Sequence, residues 1–362
     1  MQAIASDDYL DSVHFTARER AAVLWAEHVA KNTARERDDV YGEVQRHFND
    51  AELVELTAVC GLFGQSNRFQ DSMRLPIEPP HEVDKIRTSV RADPERLRAY
   101  IERLIEHWPA AYPPAADGAN GAGGGAYPAP ATAALPRVPL LDPATAAYAS
   151  VQFMNAARQL LGGLSNAVRL WAHTPHVGKL FVPFFFAFER DGAGSGLPAR
   201  VRLLVLLRTH HVHAASYLLA HHTVLARAAS LDDMQLASAA LGATADQDGL
   251  TRAERVAVAW AEQVARNTAK RDDRVFGELK QHFSDAQVVE LTALVAIASN
   301  ADLIYNALRV PLEGPAEIGA LNGAVAGDAA RIKAYLQSVL ADWPQQWPAL
   351  DVGRTGAGPA AA

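Results

Sequence analysis

The amino-acid sequence predicts an all-α protein. Three observations carry that prediction: a long gapless internal repeat, matching helix-start signals in both copies, and apolar residues spaced at the helical period. Residues 15–78 align with residues 250–313 at a constant offset of 235, and 29 of the 64 pairs are identical. A repeat of this length implies common ancestry and a common fold. TARERAAVLWAEHVAKNTA from Thr16 answers TRAERVAVAWAEQVARNTA from Thr251, and HFNDAELVELTA from His47 answers HFSDAQVVELTA from His282.

Each copy states where its helices begin. Thr16 with Glu19 and Thr251 with Glu254 fit capping boxes, in which a hydroxyl and a carboxylate each satisfy a free backbone N–H. Asn49 and Ser284 stand where a cap is needed before AELVELTAV and AQVVELTALV. In the later copy Val288, Leu291, Thr292 and Val295 recur at i, i+3, i+4 and i+7, which marks a buried face. Pro76 and Pro311 follow these apolar helices and mark their ends. A weaker match, PERLRAYIERLIEHWP with AARIKAYLQSVLADWP, adds one helix to each copy. Trp25 and Trp260 read as core, and His47 and His282 as structural residues before caps. Glu55 and Glu290 stand at equivalent positions, as expected for buried partners of Arg74 and Arg309.

The units are unequal. Residues 138–350 have the length of a complete domain, with extra helical segments around 155–173, 181–188 and 198–228. Residues 1–112 repeat only its C-terminal half. Between them, residues 113–137 are rich in Pro, Gly and Ala and read as a flexible linker, because such a composition buries too little to offset ordering entropy. Residues 351–362 read as a disordered tail.

Composition excludes several classes. Hydrophobic residues are 49%, charged residues 21% and the formal charge is -7, so the chain can fill a core. No basic stripe interleaved with aromatics suggests a nucleic-acid partner. The one cysteine, Cys60, rules out an internal disulfide and a CxxC pair. The acidic start, MQAIASDDYLDS, is unlike a secretory signal. The most apolar runs, 180–188 and 291–299, are shorter than the roughly 18 residues that span a bilayer. A cytoplasmic protein with no membrane partner is expected.

Several segments, read in order, resemble the carboxymuconolactone decarboxylase and alkylhydroperoxidase D-like family. They are WAHTPHV at Trp171, LPARVRLLVLLRTHHVHAASYLLAHHTVLARAASL at Leu197, LTRAERVAVAWAE, and HFSDAQVVELTALVAIASNADLIYNALRV. The resemblance implies a complete domain of that helical fold over 138–350. It also implies a homo-oligomeric habit, with residues 1–112 packing on the complete domain as a second protomer does. In the family's thiol branch one helix carries a glutamate, a CxxC pair and a histidine. Here those positions are Leu203, Ala215 with Leu218, and His222, and Tyr217 stands between the two cysteine positions. Thiol–disulfide chemistry needs two sulfurs and a proton relay, so a thiol peroxidase is excluded.

What remains is a histidine cluster: His210, His211, His213, His221 and His222. Read as one helix at about 100° per residue, His210, His213, Tyr217 and His221 share one face. His211 and His222 share the neighbouring face with Ala215 and Leu218, the positions expected to line the family's pocket. His222 and His211, with Tyr217 and His221, are therefore the catalytic candidates, since imidazole carries protons both ways near neutrality. A second reading gives His210 and His213 to a transition metal. On one helix His210 and His221 stand about 16 Å apart, so the further ligands would be His173 and His176, which repeat the HxxH spacing.

The resemblance implies a lyase or decarboxylase type of enzyme: cofactor-free proton chemistry (decarboxylation, isomerisation or elimination) on a small organic metabolite in specialised metabolism. A metal-dependent, oxidative enzyme and a non-catalytic relative stay open as alternatives.

Overall fold

The computed structural model describes residues 7–86, 93–110, 135–190, 195–242, 249–322 and 327–345. Among them all regular structure is helical. The N-terminal unit contributes α1 (Ala17–Ala30), α2 (Asp38–Gln45), α3 (Asp50–Met73), α4 (Pro80–Ile86) and α5 (Pro94–Glu106). There follow α6 (Tyr148–Leu161), α7 (Asn166–Trp171), α8 (Pro175–Glu189), α9 (Ala199–His213), α10 (Ser216–Ala228) and α11 (Asp233–Leu241). The second copy of the repeat supplies α12 (Arg252–Ala265), α13 (Asp273–His282), α14 (Asp285–Leu308), α15 (Pro315–Leu321) and α16 (Ala329–Ala341).

The cap signals act as read. Thr16, Thr251, Asn49 and Ser284 each accept from the backbone N–H three residues on, and each capping box is closed by the reciprocal side chain. Trp25 Nε1 donates to Thr57 Oγ1 at 2.9 Å, and Trp260 Nε1 to Thr292 Oγ1 at 3.0 Å, so both copies hold their buried indole in the same way. The face formed by Val288, Leu291, Thr292 and Val295 is fully buried.

The two copies meet about an approximate two-fold axis. Equivalent helices α3 and α14 lie against each other, and Asn300 Nδ2 donates to Gln65 Oε1, its own counterpart, at 3.0 Å. Arg74 donates to the carbonyl of Lys270 at 2.8 Å and pairs with Asp273 at 2.5 Å. Its counterpart Arg309 donates to the carbonyl of Arg35 at 2.9 Å and pairs with Asp38 at 2.7 Å. Contacts that map onto themselves under the repeat offset have the isologous pattern of a two-fold dimer. Gly61 sits at the closest approach: a Cβ there would lie 2.1 Å from Asn300 Oδ1. One apolar cluster runs across the seam and joins Trp25, Val29 and Leu53 to Phe153, Trp171 and Ile304.

Two expectations change. Glu55 is exposed and Glu290 binds Ser195 and the Gly196 N–H, while Arg74 and Arg309 take aspartates; the crossed seam places those aspartates nearer. Of the expected linker, 113–134 lies outside the described residues, as does the expected tail 351–362. Arg137, at the linker's end, is buried and donates to the carbonyls of Ala34 and Ala307 at 2.6 and 2.8 Å, docking the chain at the seam. The whole of Asp285–Leu308 is long and apolar enough to cross a membrane, but 83% of its most apolar window is buried inside the protein.

Candidate active site

The site is built by a break that the single-helix reading did not contain. Ala214 adopts the left-handed conformation, φ 49, and ends α9. The N–H of Ala215 returns to the carbonyl of His210 at 2.9 Å, that of Ala214 to His211 at 3.2 Å, and α10 starts at Ser216. The chain folds back on itself. His210 and His222, on successive helices, therefore stack with ring centroids 4.8 Å apart, and His210 Nε2 lies 2.6 Å from His222 Nδ1.

Behind this pair stands Asp302 of α14, fully buried, with Oδ1 2.8 Å from His210 Nδ1 and Oδ2 3.0 Å from His213 Nδ1. In front stands Glu189, the last residue of α8, with Oε1 3.5 Å from His222 Nε2. A carboxylate only accepts, so His210 donates its Nδ1–H to Asp302 and presents Nε2 as an acceptor. His222 then donates from Nδ1, and a proton that arrives at its Nε2 meets the Glu189 carboxylate as its acceptor. The order Asp302–His210–His222 thus fixes the tautomer of the last ring, much as an orienting acid does in other histidine sites.

The electrostatics follow. Burial drives the pKa of His222 down, against the opposing pull of the Glu189 carboxylate, so the ring is held in its basic form. Burial works to raise Glu189 and Asp302, but the adjoining histidines outweigh it and both carboxyls stay below their ordinary range.

His222 and Glu189 open onto a cavity of about 100 Å³. Its walls include Trp171, Phe181, Phe185 and Tyr305, together with Arg190, Asn322 and Leu218. Leu218 lines the pocket, whereas Leu203 of α9 lies in an apolar cluster away from it.

A second set of polar groups borders the same cavity and is closed on itself. Glu313 accepts from Tyr217 Oη at 2.8 Å and from His221 Nε2 at 2.9 Å. His221 Nδ1 accepts from Asn322 Nδ2 at 2.8 Å, and Tyr217 Oη accepts the Ala167 N–H at 3.1 Å. Burial, with Glu313 alongside, pushes the Tyr217 hydroxyl far above its usual range. Each group is used by its neighbours, so the set shapes the wall.

Of the catalytic candidates, His222, Tyr217 and His221 line the cavity and His211 does not. The elbow at Ala214 turns α9 away, leaving His211 half-buried, its pKa lowered by burial and by His210 and Arg208. The metal set is not assembled either. His210 and His213 both turn to Asp302, while His173 Nε2 lies 2.7 Å from the carbonyl of Pro139. Among the described residues no group of three or more His, Cys, Asp or Glu could hold a metal ion. Cys60 stands alone, and burial pushes its thiol up to about 11. Asp302, Glu189 and Glu313 escaped the sequence reading. Asp302 carried a signal, a lone acid inside the apolar run of α14, and Glu313 is the counterpart of Glu78.

The fold and site define a helical protein with a histidine–carboxylate relay against an aromatic cavity. In structure it is similar to alkylhydroperoxidase D-type proteins. One is the alkylhydroperoxidase AhpD core of an uncharacterized peroxidase-related protein from Ralstonia eutropha JMP134, at 18% identity and TM-score 0.43, covering 53% of this chain and 97% of that one. Another is the debrominase Bmp8 in a variant complexed with 2,3,4-tribromopyrrole, at 20% identity and TM-score 0.39, covering 52% of this chain and 89% of that one. The apo form of Bmp8 gives 19% identity and TM-score 0.38, covering 52% and 91%. No family model matches the chain, and no curated protein matches it.

Proposed function

We propose that the protein is a non-thiol enzyme that moves a proton on a small organic acid, with His222 as the acid/base group. The observation that carries this reading is the position of His222 Nε2: its ring partner nitrogen is committed to His210, and it faces Glu189 at the edge of a cavity. Nε2 takes a proton from a carbon or oxygen acid, the Glu189 carboxylate stabilises the imidazolium so formed, and a proton is returned from Nε2 at another position. Return to a neighbouring carbon gives isomerisation, delivery to a leaving group gives elimination, and delivery to the carbanion left by loss of CO2 completes a decarboxylation. This chemistry requires neither a metal nor an organic cofactor.

The cavity is about 100 Å³, smaller than the roughly 150 Å³ of apolar space that admits benzene, so it takes only a small part of a substrate as it stands. Its aromatic walls suit a planar apolar body, and Arg190, bound to the Leu321 carbonyl and Asn322, places a positive charge in the same wall. The test is incubation with a panel of single-ring and short unsaturated carboxylic acids in D2O, followed by proton NMR. Loss of CO2, a shifted double bond or deuterium incorporation that disappears in His222→Gln supports the reading. Turnover that persists in His222→Gln defeats it.

A further inference from the structure

We infer that the N-terminal repeat is a positioning device for this relay, acting through Asn32, Arg35 and Arg68; the inference rests on the acid/base reading of the site. The stacking of His210 on His222 depends on the elbow between α9 and α10, because the two rings belong to different helices. The last carbonyls of a helix have no partner within it. Here the outward-facing carbonyls of the elbow are taken by the other unit of the chain. Asn32 Nδ2 donates to the carbonyl of His213 at 2.7 Å, and Arg35 Nη1 to that of Ala214 at 3.0 Å. Asn306 of α14 joins them, with its Nδ2 3.0 Å from the His213 carbonyl and 3.1 Å from Asn32 Oδ1. Asn32 is itself held in the left-handed conformation, φ 56, which aims its amide at the elbow.

Arg68 completes the arrangement from α3. Its Nε donates to the carbonyl of Ala265 at 3.1 Å, the same oxygen that His213 Nε2 meets at 3.2 Å. The negative charge of Asp302 acts on the Arg68 guanidinium, which burial otherwise disfavours. His213 is thereby fixed between Asp302 and an oxygen shared with the N-terminal unit, and Asp302 in turn holds His210.

The two copies also diverge at this place. The counterparts of Asp302 and Arg68 are Asn67 and Leu303, so the attraction between Asp302 and Arg68 has no equivalent on the other side of the axis. At the outer seam the symmetric pairs remain. The N-terminal unit therefore holds a specialised contact where it reaches the relay and a generic one elsewhere.

The test uses the full-length protein and reads the imidazole N–H protons by NMR. Short hydrogen bonds from His222 to His210 and from His210 to Asp302 give strongly downfield signals, identified by their loss in His210→Gln. The Asn32→Gly/Arg35→Ala variant keeps the positive φ at position 32 and the Arg35 carbonyl that Arg309 uses, but removes both donors. We expect the downfield signals to broaden or vanish and the His222 titration to rise towards the ordinary histidine value as water reaches the ring. Arg74→Ala, which breaks the symmetry-related contact far from the elbow, should leave both unchanged. Unaltered signals in the folded double variant overturn the inference, as does an equal disturbance in Arg74→Ala. If the double variant does not fold, the two single variants are read in the same way and decide it. Relay signals intact in a wild type that turns over nothing count against the acid/base reading alone.

Discussion

His222 Nδ1 lies 2.6 Å from His210 Nε2, and His210 Nδ1 lies 2.8 Å from Asp302 Oδ1, so one buried carboxylate sets the tautomer of a ring that it does not touch. That geometry separates the two neighbouring histidines of α10. His221 is closed into a satisfied set with Glu313 and Asn322, and His222 keeps a basic nitrogen at the cavity.

His222→Gln should lower turnover by about 10²–10⁴-fold, the usual contribution of a positioned acid/base group. His221→Gln should cost less in rate and more in stability, because it breaks a wall. Comparing kcat with the unfolding midpoint of both variants checks the assignment. A larger rate loss in His221→Gln would reverse the roles.

The pH profile should have an acid limb below the ordinary histidine value of about 6.5. The base form is the active one, so activity falls as pH falls through the depressed pKa of His222. Glu189→Gln removes the group that pulls this pKa upward, so the limb should move to still lower pH. A move to higher pH would count against Glu189 as the neighbour of His222. The same depression makes folding pH-dependent: the unfolded ring binds a proton first, so this part of the stability is lost as pH drops below the unfolded value.

Asp302→Ala should be among the most destabilising single substitutions. Asp302 is the acceptor for both His210 and His213 and is fully buried. Removing one partner of such a buried network costs about 3–5 kcal/mol, which denaturant unfolding would measure. A loss below about 1 kcal/mol, the scale of an exposed pair, would mean that the histidines repartner.

Two backbone positions give opposite signs. Gly61→Ala drives a methyl into Asn300 Oδ1 and Ile304 at the α3/α14 seam and should destabilise by about 1–3 kcal/mol, as overpacking does. Ala214→Gly relieves a non-glycine residue of its left-handed conformation, φ 49, and should stabilise by about 1 kcal/mol. If Ala214→Gly loosens the elbow instead, the melting temperature will fall.

The sequence by itself determined the helices and their symmetry. Capping at Thr16, Asn49, Thr251 and Ser284, and the buried face of α14, are local properties: side chain, backbone and period lie within a few residues of one another. It also excluded a CxxC pair, since Ala215 and Leu218 can be read directly. Only the tertiary structure decided the site. No glycine or proline announces the elbow in HHVHAASY, so projection on one helix put His211 beside His222 and kept His210 about 16 Å away from His221. The elbow turns left-handed at an alanine because its carbonyls find donors on Asn32, Arg35 and Asn306, the first two of them in the other repeat and the third in α14. The relay's carboxylates come from α8 and α14, and a pairing between distant helices leaves no periodic trace along the chain.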